Sequence, residues 1–323
     1  VIAKRNLPYV LLVVVGLHCE LLDAATLPLP DAQNSVVGDL QTVVAKFEDT
    51  LSDIGRRYGI GYEEMISANP GVDPWLPGAG THVVIPAQYV LPDAPREGIV
   101  INLPEHRLYY FPPVKNRAKP QVVTYPISVG KMDWTTPLGL TRIVDKRTHP
   151  SWNPPESVRA EHEADGHPLP KIVPPGPDNP LGDYAMRLAI PGGAYLIHGT
   201  NKPVAVGMPV THGCIRMFPE DIEEFFSMVP VNTAVRIVHQ PLKMGWSGDV
   251  LYMEVHPPLE GNEDPESTSL TNITRILVTV THDRSTTIDW ALAEQVFKKA
   301  NGVPEAMTAK PPGPAAVHST AAR

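Results

Sequence analysis

Proline limits this chain before anything else does. There are 37 prolines in 323 residues, about 11% against a usual ~5%. Each fixes φ and removes a backbone donor, so helix interiors and central strands are broken wherever one falls. A helical bundle is therefore disfavoured, and short strands joined by stiff loops are expected. The hydrophobic share of 42% and charged share of 19% suit packed cores rather than a disordered chain. Lysine and arginine number 27 against 35 acidic residues, a net charge of −8. That balance argues against nucleic acid as a partner, which calls for a basic domain. Two cysteines exclude a disulfide-dense scaffold and a four-cysteine zinc site.

The N-terminus carries Lys4 and Arg5, an apolar run from Leu7 to about Leu17, and then Ala24 and Ala25. This is the order of a secretory signal, so residues 1–25 are expected to be removed on export. The apolar core is too short for a spanning helix; an uncleaved anchor and a buried strand are the competing readings. Cys19 follows His18, a bulky residue where a lipid-attachment motif needs a small one. Export leaves Cys214 as the single thiol, either an inert buried residue or a reactive one.

Residues 42–87 read as a small unit. Thr42–Phe47 forms a strand. Asp49-Thr50 caps a helix with Leu51, Ile54 and Tyr58 on one face, ended by Gly59. A second helix, about Tyr62 to Ala68, stops at Asn69-Pro70, and His82–Pro86 returns as a strand. The unit resembles a LysM domain, on Asp49-Thr50-Leu51, Ile54, Tyr58, Asn69, Pro77-Gly78 and Ile85-Pro86. The resemblance implies a βααβ module that binds N-acetylglucosamine-containing glycan strands. A packed spacer without ligand is the plainer alternative.

Residues 97–239 are strand-rich. A hairpin is expected over 98–103 and 107–111, with further strands at 121–129, 141–146, 186–190, 194–198 and 233–239. Between them, residues 146–182 are crowded with proline and carry Trp152. So long a segment without regular structure points to a functional, ordered lid. Pro219-Glu220-Asp221 starts a helix with Ile222, Phe225, Phe226 and Val229 on one face and acids in its first turn. Residues 240–301 read as a small α+β segment: strands at Val250–Val255 and Ile273–Val280, then a helix from about Ile288 to Asn301. Residues 302–323 read as a disordered tail.

Chemistry concentrates in His198-Gly199-Thr200 and, after residues 201–211, His212-Gly213-Cys214-Ile215-Arg216, with Thr211 just before. A thiol attacks as thiolate, and at a pKa of ~8.5 only a few per cent is ionised at neutral pH. Full ionisation would raise the active fraction about 30-fold, roughly 2 kcal/mol. Both His198 and His212 are candidates to take the proton. Gly213 lets a carbonyl approach the backbone, where the amides of Gly213 and Cys214 can hold an oxyanion. Arg216 offers a fixed charge to a carboxylate or to the thiolate. Taken singly, a strand histidine, a Gly before a Cys and a lone Arg are each more often structural. Their occurrence together around one thiol favours a catalytic cluster. A metal site on His198, His212 and Cys214 is open by residue type, but it has no fourth protein ligand and gives Arg216 no role.

This segment resembles the signature of the L,D-transpeptidase family with the YkuD catalytic fold, the ErfK/YbiS group in particular. The signature is His-Gly-Thr, a spacer, then Ser/Thr-His-Gly-Cys, an apolar residue and Arg or Asn. Thr136-Pro137-Leu138-Gly139, Val173–Pro177, Asn179–Gly182 and Leu251–Pro257 also match. The resemblance implies a mainly-β catalytic sandwich with a helix after the nucleophile. It implies that Cys214 forms a thioester on the diaminopimelate of a peptidoglycan stem tetrapeptide and releases D-Ala, with His198 as base and acid. His212, Gly213, Arg216, Thr211, Gly199 and Thr200 would shape the oxyanion and substrate sites, and Trp152 the lid over the groove. The acceptor would be a second stem's diaminopimelate, giving a 3→3 cross-link, or a lipoprotein lysine. It further implies no cofactor and no metal, inhibition by carbapenems, and a place in a Gram-negative periplasm. A hydrolase of the same bonds and a non-catalytic wall-glycan binder are the alternatives.

Overall fold

The computed structural model describes residues 25–131, 136–259, 269–284 and 286–308. The expected signal therefore lies outside the described residues except for Ala25, as do Cys19, residues 260–268 and residues 309–323. β1 (Ala25–Pro28) is an edge strand, antiparallel to residues 121–124. After β2 (Val36–Gly38) comes the module: β3 (Gln41–Val44), α1 (Leu51–Arg57), α2 (Tyr62–Ala68) and β4 (His82–Ile85), followed by β5 (Gln88–Val90). The order is strand, helix, helix, strand, as the spacing suggested. Thr50 and Asp53 form a reciprocal capping box at α1. Asn69 closes α2 onto β4: its amide donates to the Met65 and Val84 carbonyls and its oxygen accepts from the Val84 amide. Leu51, Ile54, Met65, Val83 and Ile85 form the buried face.

The larger, strand-rich unit comprises β6 (Gly98–Asn102), β7 (Arg107–Phe111), β8 (Gln121–Pro126), β9 (Val129–Gly130), β10 (Gly139–Thr148), α3 (Glu156–Ala164), β11 (Tyr184–Leu188), β12 (Leu196–His198), β13 (Pro209–Thr211), β14 (Ile215–Arg216), α4 (Pro219–Met228) and β15 (Ala234–Val238). One nine-stranded sheet runs β1-β8-β7-β6-β15-β10-β11-β12-β14. β10 is long enough to serve two arms. Its start pairs with β15 and its end with β11, with a register shift between Ile143 and Asp145. The two arms enclose one core in which Ile99, Ile101, Leu108, Tyr110 and Tyr125 face Met186, Leu188, Ile197 and Ile215, closed by Ile222 and Phe225 of α4. Successive strand residues point to opposite faces. Val100, Tyr109, Phe111 and Val122 therefore point the other way and join the LysM-like module's core. With both faces covered, these strands read as unbroken apolar runs.

Three expectations are corrected. The 146–182 segment holds helix α3, a Trp152–Val173 bridge, and Asn179 tying its ends through the Pro150 and Pro174 carbonyls. Its prolines bound a helix rather than excluding one. Residues 273–280 belong to a helix, α5 (Leu270–Thr281), not a strand. Their β-branched content suggests a strand, yet Ser269 caps the start. Ile273, Ile276, Leu277 and Val280 then recur at helical spacing and pack on the sheet of β16 (Leu242–Ser247), β17 (Val250–Val255) and β18 (Glu305–Ala306). The disordered tail does not begin at 302. After α6 (Trp290–Lys299), β18 pairs with β17, Ile288 bridges Thr308, and Val303 and Met307 are buried.

Candidate active site

Two short strands bring the predicted site residues together. β12 and β14 are parallel, with His198 in register with Arg216 and the Met217 amide donating to the His198 carbonyl at 2.9 Å. On its other edge, Arg216 exchanges both backbone hydrogen bonds with Ser128. Cys214 stands at the entry to β14, after a turn in which Gly213 adopts φ +90°, a conformation that favours glycine. Thr211 Oγ1 locks this turn by donating to the Cys214 carbonyl at 2.6 Å. Thr136 Oγ1 donates to the Gly213 carbonyl at 3.0 Å.

His198 is buried, and its Nδ1 lies 2.6 Å from the Gly199 carbonyl. A carbonyl only accepts, so Nδ1 carries the proton and Nε2 presents a lone pair. Burial, and then the charge of Arg216, push the His198 pKa down to about 3, so the resting imidazole is neutral. Cys214 is half-buried, and its thiol faces the Ala194 carbonyl at 3.6 Å. Burial raises its pKa, opposed by a hydrogen bond from the Leu196 amide and by Arg216. Arg216 thus lowers the pKa of both the ring and the sulfur. The Arg216 pKa is itself lowered by burial, and its Nε is buried without a partner. An anion would satisfy that group.

The remaining candidates divide. Gly199 packs against Ile222, where a Cβ would come within 3.1 Å of the isoleucine. Thr200 is buried and accepts from the Lys202 amide, a turn role. His212 is turned to the segment above, with Nε2 2.7 Å from Glu161 of α3. Trp152 sits at the base of that segment, bridged to Val173. Sequence reasoning missed Glu161, Lys131, Ser128 and Thr136 as neighbours of the site. Thr136 lay in a matched segment; the others carry no motif and are brought in by folding. Among the described residues, Glu105, Glu254 and His256 also converge with metal-ligand chemistry. Lys243 Nζ sits 2.8 Å from both carboxylates and supplies the positive charge there.

Comparison with known proteins identifies both modules. The model of the L,D-transpeptidase catalytic domain matches residues 96–237, and that of the LysM domain residues 43–86. The chain is 44% identical over 254 residues to the probable L,D-transpeptidase YcfS of Escherichia coli (strain K12), covering 77% of this chain and 78% of that protein. It is 39% identical over 298 residues to the probable L,D-transpeptidase YbiS of the same strain, covering 90% and 94%. It is 37% identical over 295 residues to the probable L,D-transpeptidase ErfK/SrfK of Salmonella typhimurium, covering 90% and 93%. With such likeness across both modules, the chain is an enzyme that belongs to the L,D-transpeptidase family.

Proposed function

We propose that this enzyme forms a thioester on Cys214 from the diaminopimelate of a peptidoglycan stem tetrapeptide and passes the acyl group to an amine. Nε2 of His198 takes the thiol proton as Sγ attacks the carbonyl carbon. The carbonyl oxygen gains charge and is held by the amides of Gly213 and Cys214; one such donor contributes about 3–4 kcal/mol. On collapse, the proton passes from His198 to the departing amine of D-Ala. The incoming amine then attacks the thioester, its proton returns through His198, and Sγ leaves as the thiol. Arg216 binds the carboxylate of the donor. The acceptor is a second stem's diaminopimelate or a lipoprotein lysine. The LysM module holds the glycan strands nearby, and the enzyme works in the periplasm of a Gram-negative cell after its signal is removed. Carbapenems acylate the same sulfur.

The observation that carries this reading is a neutral His198, its Nε2 left as acceptor by the Gly199 carbonyl, on the strand that pairs with the one Cys214 enters. The test is incubation with disaccharide tetrapeptide, followed by mass spectrometry. D-Ala release, a thioester adduct on Cys214 and a joined product of higher mass are expected. Cys214→Ala should reduce release by about 10³-fold or more. Release of D-Ala with only hydrolysed product would replace transfer by hydrolysis.

A further inference from the structure

Glu161 of helix α3 reaches the residues beside the candidate site. The two carboxylate oxygens of Glu161 are divided between two partners: Oε1 is 2.7 Å from Lys131 Nζ and Oε2 is 2.7 Å from His212 Nε2. These partners flank the strand that leads to the nucleophile. Lys131 follows β9 and its amide donates to the Thr211 carbonyl at 3.0 Å, while His212 is the next residue after Thr211. The other end of the segment is anchored by the Trp152–Val173 bridge, by the buried Val158 and by Asn179. A carboxylate at 161 thus closes a loop between a fixed base and the approach to Cys214.

We propose that Glu161 is a positioning residue: it fixes the imidazole of His212 beside the oxyanion site and, with Lys131, holds α3 against the catalytic strand. This rests on the acyl-transfer reading above. Glu161 is ionised across the physiological range, because hydrogen bonds from Lys131 and His212 hold its pKa down to about 2. The bridge is partly solvent-exposed at all three residues, and exposed ion pairs contribute little to folding. Its effect therefore belongs to the geometry of the site. Neither alkylation of the sulfur nor neutralisation of His198 depends on it. Stabilising an oxyanion does, if His212 must stand in one place.

The test compares three reagents on the full chain: disaccharide tetrapeptide, read by D-Ala release; a penem, read by the mass of the acylated protein; and iodoacetamide, which alkylates the thiol without forming an oxyanion. Glu161→Ala should slow both acylations roughly ten- to hundredfold and leave alkylation within about twofold. Glu161→Gln, which keeps one acceptor, should recover part of the rate, and Lys131→Met should give a smaller loss. In a His212→Ala background, Glu161→Ala should cause no more than the smaller slowing seen with Lys131→Met. Unchanged acylation, alkylation slowed as much as acylation, or full additivity with His212→Ala would each overturn the proposal. If the wild-type chain releases no D-Ala, the tetrapeptide reading fails, while the penem arm still judges Glu161.

Discussion

At residue scale, the proposed nucleophile and the proposed base are both uncharged at rest. Burial raises the Cys214 thiol above its ordinary range while burial and Arg216 keep His198 unprotonated. The thiolate fraction of such a group grows about tenfold per pH unit up to its pKa. Alkylation by iodoacetamide, followed from pH 6 to 10, should therefore keep rising beyond pH 9. A plateau by pH 7 would mean a preformed thiolate–imidazolium pair. Cys214, both histidines and Arg216 were legible as a spaced motif. Glu161 was not, because it lies 51 positions from His212 in a polar stretch with no pattern of its own.

Among the elements, α4 carries an unusual group at its start. Asp221 is buried with Oδ2 unpartnered. Burial first, then Glu220 and Glu224, raise its pKa from 3.8 to about 8. A carboxyl raised in the folded state favours the proton-bound form. Its contribution is complete below about pH 4 and is lost as pH rises through about 8. Asp221→Asn mimics the neutral form, so it should raise Tm by several degrees at pH 8.5 and change it little at pH 4. Thermal unfolding across that range checks the sign; an equal shift at both ends would refute it. The same scale shows where local reading succeeds. The Asp49-Thr50 cap and the Pro-Glu-Asp start of α4 gave their helices away, because the signal lies within a few residues. α5 deceived, because β-branched side chains prefer strands until a neighbouring sheet rewards a helical apolar face.

In the whole molecule, the LysM module is built onto the catalytic unit rather than tethered to it. Arg107 of β7 is fully buried and forks onto Glu64 of α2, at 2.8 and 2.9 Å, with a further bond to the Gly59 carbonyl. The Tyr62 amide donates to the Val206 carbonyl, and Gly207 abuts Gly61 so closely that a Cβ would lie 2.6 Å from the Gly61 Cα. That loop separates the His198 and Cys214 motifs, so the module supports the segment that carries Thr211 to Cys214. Arg107→Met leaves Glu64 buried without its cation and should cost about 3–5 kcal/mol in urea unfolding. Adding Glu64→Leu should recover part of the loss, which separates charge burial from lost packing. The sequence by itself determined the two modules, their strand and helix periods and the thiol–imidazole motif, since each is written in residues close together along the chain. Only the tertiary structure decided that His198 stands beside Arg216, that Glu161 reaches His212 and that Arg107 finds Glu64. Those partners are distant in sequence, and their pairing depends on which faces fold together, a choice made by burial over the whole chain and not by local propensity.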